Sequence, residues 1–122
     1  MQIEVILYLL VAHFIGDFIL QSDAMAKGKS KSSRILLIHV LAYTLPFIVL
    51  AIVLPSTISE TTFLGFLVFN IVAHFATDYV TSRVTSKLWA EGEVHEFFVV
   101  IGFDQLIHIV TLVLSFHYVQ GM

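Results

Sequence analysis

Four apolar stretches, each near the ~20 residues that a membrane-spanning helix requires, take up most of this chain. They run from Ile3 to Gln21, Ile35 to Leu54, Thr62 to Ser82 and Phe97 to His117. Hydrophobic residues make up 58% of the sequence and charged ones 12%, against ~25% charged in an ordinary soluble domain. A soluble domain of 122 residues cannot bury that much apolar surface, so lipid is the expected solvent. Lipid offers the backbone no hydrogen bonds, and each span must therefore satisfy its own as a helix. The expectation is a single all-α domain, a four-helix transmembrane bundle.

The connections set its orientation. Lys27, Lys29, Lys31 and Arg34 lie on the first, and Arg83 and Lys87 on the third. No basic residue lies at either terminus or in the second connection, 55–61. The positive-inside rule makes the first and third connections cytoplasmic and both termini external. Lys29 and Glu91 are thus expected inside, and Met1, Thr57 and Met122 outside. Ala24-Met25-Ala26 has the look of a signal-peptidase site. However, no basic segment precedes the first apolar run, which itself holds His13 and Asp17, so cleavage is not expected.

Within the spans, Val11-Ala12-His13-Phe14-Ile15-Gly16-Asp17 recurs as Val72-Ala73-His74-Phe75-Ala76-Thr77-Asp78 with five of seven residues identical. Each copy puts a histidine and an aspartate at i and i+4, on one helix face. Asp104 and His108 have the same spacing in reversed order, on a helix that runs the opposite way. Reversal of both restores one layering, with three carboxylates nearer the cytoplasm and three imidazoles a turn deeper. His39 on the second span falls near the carboxylate level. The repeat also implies two similar helical hairpins related by a pseudo-twofold axis along the membrane normal.

An aspartate at a membrane helix centre costs ~2.5–3.5 kcal/mol. Three would cost about 8–10 kcal/mol, comparable with the ~5–15 kcal/mol stability of a whole domain. No lysine or arginine is expected at that depth to neutralise them, whereas divalent metal could. Two dications, three aspartates and one hydroxide sum to zero, which favours two ions per chain held by His13, Asp17, His39, His74, Asp78, Asp104 and His108. Bundles do build such centres from inward carboxylates and histidines. With no cysteine, the nitrogen and oxygen donors suit zinc first, then iron or manganese. The same residues could instead relay protons or ions, or only join helices through hydrogen bonds worth ~0.6 kcal/mol each.

Gln21, Tyr43, Asn70 and Gln105 lie within a turn of these positions and are candidates to orient a ligand or touch substrate. Lys27, Lys29, Lys31 and Arg34 are expected as a topology anchor that could also hold phosphate or anionic lipid. Pro46 is placed to kink the second span, and Gly16 and Gly102 to let helices approach closely. Trp89 suggests that the third helix continues along the cytoplasmic interface. The net charge of −3 gives no sign of nucleic acid, and membrane lipids are the expected partners.

His13 to Gln21, Met25-Ala26, His74 with Asp78, and Asp104-Gln105 with His108 together resemble a family of small bacterial and phage membrane proteins catalogued as domain of unknown function 3307. The resemblance covers nearly the whole chain and implies the bacterial inner membrane as its setting, with no activity attached. A looser similarity, in residue types alone, is to membrane-bound metal-dependent hydrolases. Taken together, these features predict a hydrolase open to the cytoplasmic leaflet, acting on a lipid or other amphiphilic ester, phosphoester or amide. Asp17, Asp78 or Asp104 would serve as its catalytic carboxylate. A metal-ion or proton carrier using the same ligands, and a small adaptor with a structural metal, are the alternatives.

Overall fold

The computed structural model describes residues 1–53 and 58–121, all of whose regular structure is helical. In chain order the elements are α1 (Ile3–Phe14), a π-helical turn (Ile15–Ile19), α2 (Asp23–Gly28), α3 (Ser33–Val53), α4 (Glu60–Ala90) and α5 (Val94–Gln120). Position 54 of the second expected span, and Thr57 and Met122 of the expected topology, lie outside the described residues. Local chemistry sets several boundaries. The Ser22 hydroxyl accepts from the Met25 N–H at 3.2 Å, and the Ser59 hydroxyl from the Thr62 N–H at 3.1 Å. Each thereby satisfies a donor that the first helical turn leaves free. Two residues beyond the end of α4 at Ala90 comes Gly92, whose φ of +75° suits a residue without Cβ. There the Gly92 and Glu93 N–H groups bond back to Trp89 and Leu88, which closes the helix and reverses the chain into α5.

Three helices, α3, α4 and α5, are long and apolar enough to cross a membrane. The expectation of four is corrected at the first span. It holds a regular α-helix for only 12 residues before passing into the π turn, where Leu20 N–H bonds to the Ile15 carbonyl five residues back at 2.9 Å. Packing explains the change, since a Cβ on Gly16 would lie 2.7 Å from the Tyr43 carbonyl oxygen of α3. The glycine lets the widened turn press directly on α3. Gly102, by contrast, has nothing within 4 Å of its Cβ position, so its expected role in close helix approach is not found. α3 runs on through Pro46, and α4 continues past Trp89 to 31 residues.

The burial pattern is inverted relative to a soluble protein. Among the described residues eleven polar or charged side chains are buried against eight hydrophobic ones, while Ile52, Val72, Phe98 and Leu114 face outward. An exterior this apolar around a polar interior is what a lipid solvent selects. α4 and α5 form the most extensive helix pair, α3 packs on α4, and α1 with its π turn fits against α3 and α5. A core of Leu9, Ala12, Tyr43, Phe47, Phe66 and Leu112 fills one side of the bundle, and the histidines and aspartates fill the other.

Candidate metal centre

Regular α-helix keeps two of the three sequence pairs intact. His74 Nε2 lies 3.3 Å from Asp78 Oδ2, and His108 Nε2 lies 3.2 Å from Asp104 Oδ1. The π turn loosens the third, leaving His13 Nε2 3.9 Å from Asp17 Oδ2. Asp17 instead turns its other oxygen toward α3 and α4, 3.2 Å from His39 Nε2 and 3.4 Å from His74 Nε2. Thus the repeat is present in sequence, but its two copies are used differently.

Asp17, His39, His74 and Asp78, all buried, form one group able to hold a metal ion, each offering one donor atom within 4.8 Å of the others. His39 Nε2 is 3.2 Å from Asp78 Oδ2 and 3.3 Å from His74 Nε2. A second such group, Asp17, Asp104 and His108, shares Asp17 with the first. His108 ties the two together, its Nε2 also lying 3.0 Å from Asp78 Oδ1. Its ring stacks on His74 at 3.9 Å between centroids.

His13 belongs to neither group. Its Nε2–H donates to Gln105 Oε1 at 2.8 Å, while its Nδ1 is 3.0 Å from the Tyr43 hydroxyl and accepts from it. The amide orientation that fits this network has Gln105 Nε2 donating to Asp17 Oδ2 at 2.8 Å and to Asp104 Oδ2 at 3.2 Å. A neutral His13 with its Nε2 protonated keeps its one lone pair on Nδ1, where the Tyr43 hydroxyl occupies it. His13, expected as a ligand, is placed against Gln105 and Tyr43, and Gln105 meets two carboxylates at once, leaving their Oδ1 atoms turned inward. Tyr43 reaches the network through His13 rather than His39. Asn70 stands apart, donating to the Phe66 carbonyl and to Ser115 Oγ, both at 2.9 Å, and so joins α4 to α5.

The absence of a lysine at this depth is also corrected. Lys29 Nζ donates to Asp78 Oδ2 at 3.0 Å, because the connection after α2 folds back onto α4, where Ser30 and Ser86 hydroxyls meet at 3.3 Å. Thr81 and Ser82 were not anticipated at all. Thr81 donates to Asp104 Oδ1 as well as facing its own helix. Serine and threonine are common in helices, and nothing in their spacing separates these two from the rest.

A cavity of about 660 Å³ opens beside the centre. Asp17, Asp78, Asp104, Gln21 and Gln105 line it, together with Lys27, Lys29 and Lys31, while Arg34 and the four buried imidazoles do not. The carboxylates therefore border the opening, and the histidines do not. On the far side of the histidines, Phe47, Phe66 and Leu112 are almost fully buried.

No curated protein and no solved structure matches this chain. Residues 5–122 match the family described as a protein of unknown function, DUF3307. That match spans the π turn, the histidine–aspartate pairs and the cavity wall alike, and the chain belongs to this family of unknown function.

Proposed function

We propose that this protein is an integral membrane metalloprotein holding a divalent cation between Asp17, His39, His74 and Asp78, and that it hydrolyses a polar bond in an amphiphile. The reading rests on one observation. Five donor–donor distances within that group fall between 3.2 and 3.4 Å. A tetrahedron with vertices ~2.0–2.1 Å from its centre has edges of ~3.3–3.4 Å, which is the zinc geometry for nitrogen and oxygen donors. Charge-assisted N–H···O bonds are instead ~2.7–2.9 Å long, and a single Nε2–H cannot point at two oxygens and a second nitrogen together. Zinc fits this donor set best, with iron or manganese as further candidates.

Lys29 changes the charge argument. Three carboxylates, one ammonium and one dication are neutral together, so a single tightly held ion suffices. The second group, sharing Asp17, supports a second, weaker position and hence the two-ion reading.

A bound dication would acidify a water and polarise the bond under attack. The chain supplies the remainder. Asp104 lies outside the four-donor group, borders the cavity and is held by Thr81 and Gln105, which suits it to accept the proton of that water. Water adds across the bond, hydroxyl to the acyl or phosphoryl centre and proton to the leaving oxygen. The apolar layer of Leu9, Phe47, Phe66 and Leu112 favours a one-sided pocket over the conduit that a carrier needs. The inner membrane of a bacterium, with basic connections cytoplasmic and two related halves around the centre, is the setting proposed for it.

The test is hydrolysis of fluorogenic amphiphilic esters and phosphoesters by protein in lipid nanodiscs. Chelation should abolish turnover, zinc or manganese should restore it, and Asp104→Asn should lose turnover while keeping its metal. Turnover that chelators leave untouched, or metal-dependent ion flux into proteoliposomes without hydrolysis, would contradict the reading.

A further inference from the structure

Beside the centre, the cavity has features that coordination of a metal does not use. Ser82 is 7% exposed, lines the cavity, and its hydroxyl has no hydrogen-bond partner. Gln21 Oε1, also buried and without a partner, lines it too. A buried hydroxyl left unpaired costs ~1–3 kcal/mol, so Ser82 points to a ligand with an acceptor for it, and the Gln21 amide can turn its Nε2 donor to the same ligand. Thr81, Ser82, Thr85 and Ser86 lie on one face of α4, at the i, i+1, i+4, i+5 spacing, and all four line the cavity. Across from them Lys27 and Lys31 make no ion pair among the described residues. Trp89, Phe97 and Phe98 form an apolar margin on the same cavity.

We infer that this cavity receives a phosphate group carried by an amphiphile, with the apolar chain leaving past Trp89, Phe97 and Phe98. The free Ser82 hydroxyl with Lys27 and Lys31 matches a compact group with a charge near −2 and several acceptor oxygens. A carboxylate, with a single charge, would leave one of those two lysines unneutralised. A neutral sugar or glycerol head would leave the lysines without purpose. The three carboxylates on the same cavity oppose an anion unless a cation offsets them, so binding should strengthen when the centre is loaded. This names the substrate class of the site proposed above and rests on that reading for its catalytic meaning.

Trp89 is the only tryptophan and reports on the cavity directly. Its fluorescence is followed in phosphatidylcholine nanodiscs, with metal content measured on the same sample, during titration with short-chain phosphatidic acid, diacylglycerol or inorganic phosphate. A saturable change is expected with phosphatidic acid and not with diacylglycerol. Lys27→Gln/Lys31→Gln should weaken it at least tenfold, and Ser82→Ala about threefold, with metal content unchanged in both. Equal response to diacylglycerol, or unchanged affinity in the lysine variant, overturns the inference. Inorganic phosphate binding as tightly as phosphatidic acid assigns the cavity to the free ion and overturns the amphiphile. A metal-loaded sample that ignores phosphatidic acid removes this inference alone. A sample without metal that still binds phosphatidic acid keeps the phosphate site and removes the metal centre.

Discussion

His39 Nε2 and His74 Nε2 face each other across 3.3 Å, each within 3.4 Å of one oxygen of Asp17 and one of Asp78. Two neutral imidazoles can share one hydrogen bond at that distance, but Asp17 Oδ1 would still lack a donor, and Asp78 Oδ2 would have only Lys29. A cation between the four atoms satisfies them all. His39→Ala or His74→Ala should therefore abolish metal binding. His13→Gln should retain the metal, because His13 acts through Gln105 and Tyr43. Loss of metal in His13→Gln with retention in His74→Ala would reverse these roles.

Gln105 is the lever on two carboxylates. Gln105→Leu removes both amide donors, at 2.8 and 3.2 Å, from Asp17 and Asp104 without adding charge. Orienting partners of this kind typically change metal affinity by about 10–100-fold. Competition with a chromogenic chelator should show a loss in that range, with helical content by circular dichroism unchanged. An unaltered affinity would remove Gln105 from the centre.

Gly16→Ala places a Cβ 2.7 Å from the Tyr43 carbonyl and 2.9 Å from its ring. Backbone cannot yield as a flexible side chain does, and overpacking costs about 1–3 kcal/mol. Thermal unfolding should show a clear fall in Tm, and metal affinity should fall with it, since the π turn carries Asp17. Gly102→Ala meets nothing within 4 Å and should leave both unchanged.

The proposed orientation is checked by single cysteines in a chain that has none. Cysteine at Glu91 should resist an impermeant thiol reagent in intact cells, and cysteine at Met1 should react. Lys31, exposed on the same connection as Lys29, is the better probe there because Lys29 is engaged with Asp78. Labelling at position 31 in intact cells would overturn the orientation.

What the sequence made legible follows from regular geometry. His74 with Asp78, and Asp104 with His108, could be paired because an α-helix fixes i and i+4 on one face whatever surrounds it. The first pair could not be read correctly. Its π turn depends on Gly16 meeting Tyr43, a contact 27 residues away in sequence, and no local pattern encodes it. The same holds for Lys29, whose reach to Asp78 depends on how a polar connection folds back. Apolar length identified the membrane character and three of the spans, but the first was read as one regular helix where the chain changes helix type. Six of the seven residues expected from the sequence fall in the two groups able to hold a metal ion, and His13 does not. The partners of His13 and Gln105 depend on side-chain hydrogen bonds between helices, which no local pattern encodes.

A dication held by these buried groups should survive purification, and elemental analysis of protein purified without added metal would detect it. About one equivalent of zinc, iron or manganese per chain is expected, with a second taken up weakly on titration. His117→Ala, at an exposed position on α5, should match the wild type, and Asp78→Ala should hold none. Free metal at 100 times its Kd should stabilise the wild type by ~2.7 kcal/mol and leave Asp78→Ala unaffected. Wild-type protein that is metal-free as purified, takes up none on titration and melts at the same temperature with and without zinc would contradict the account.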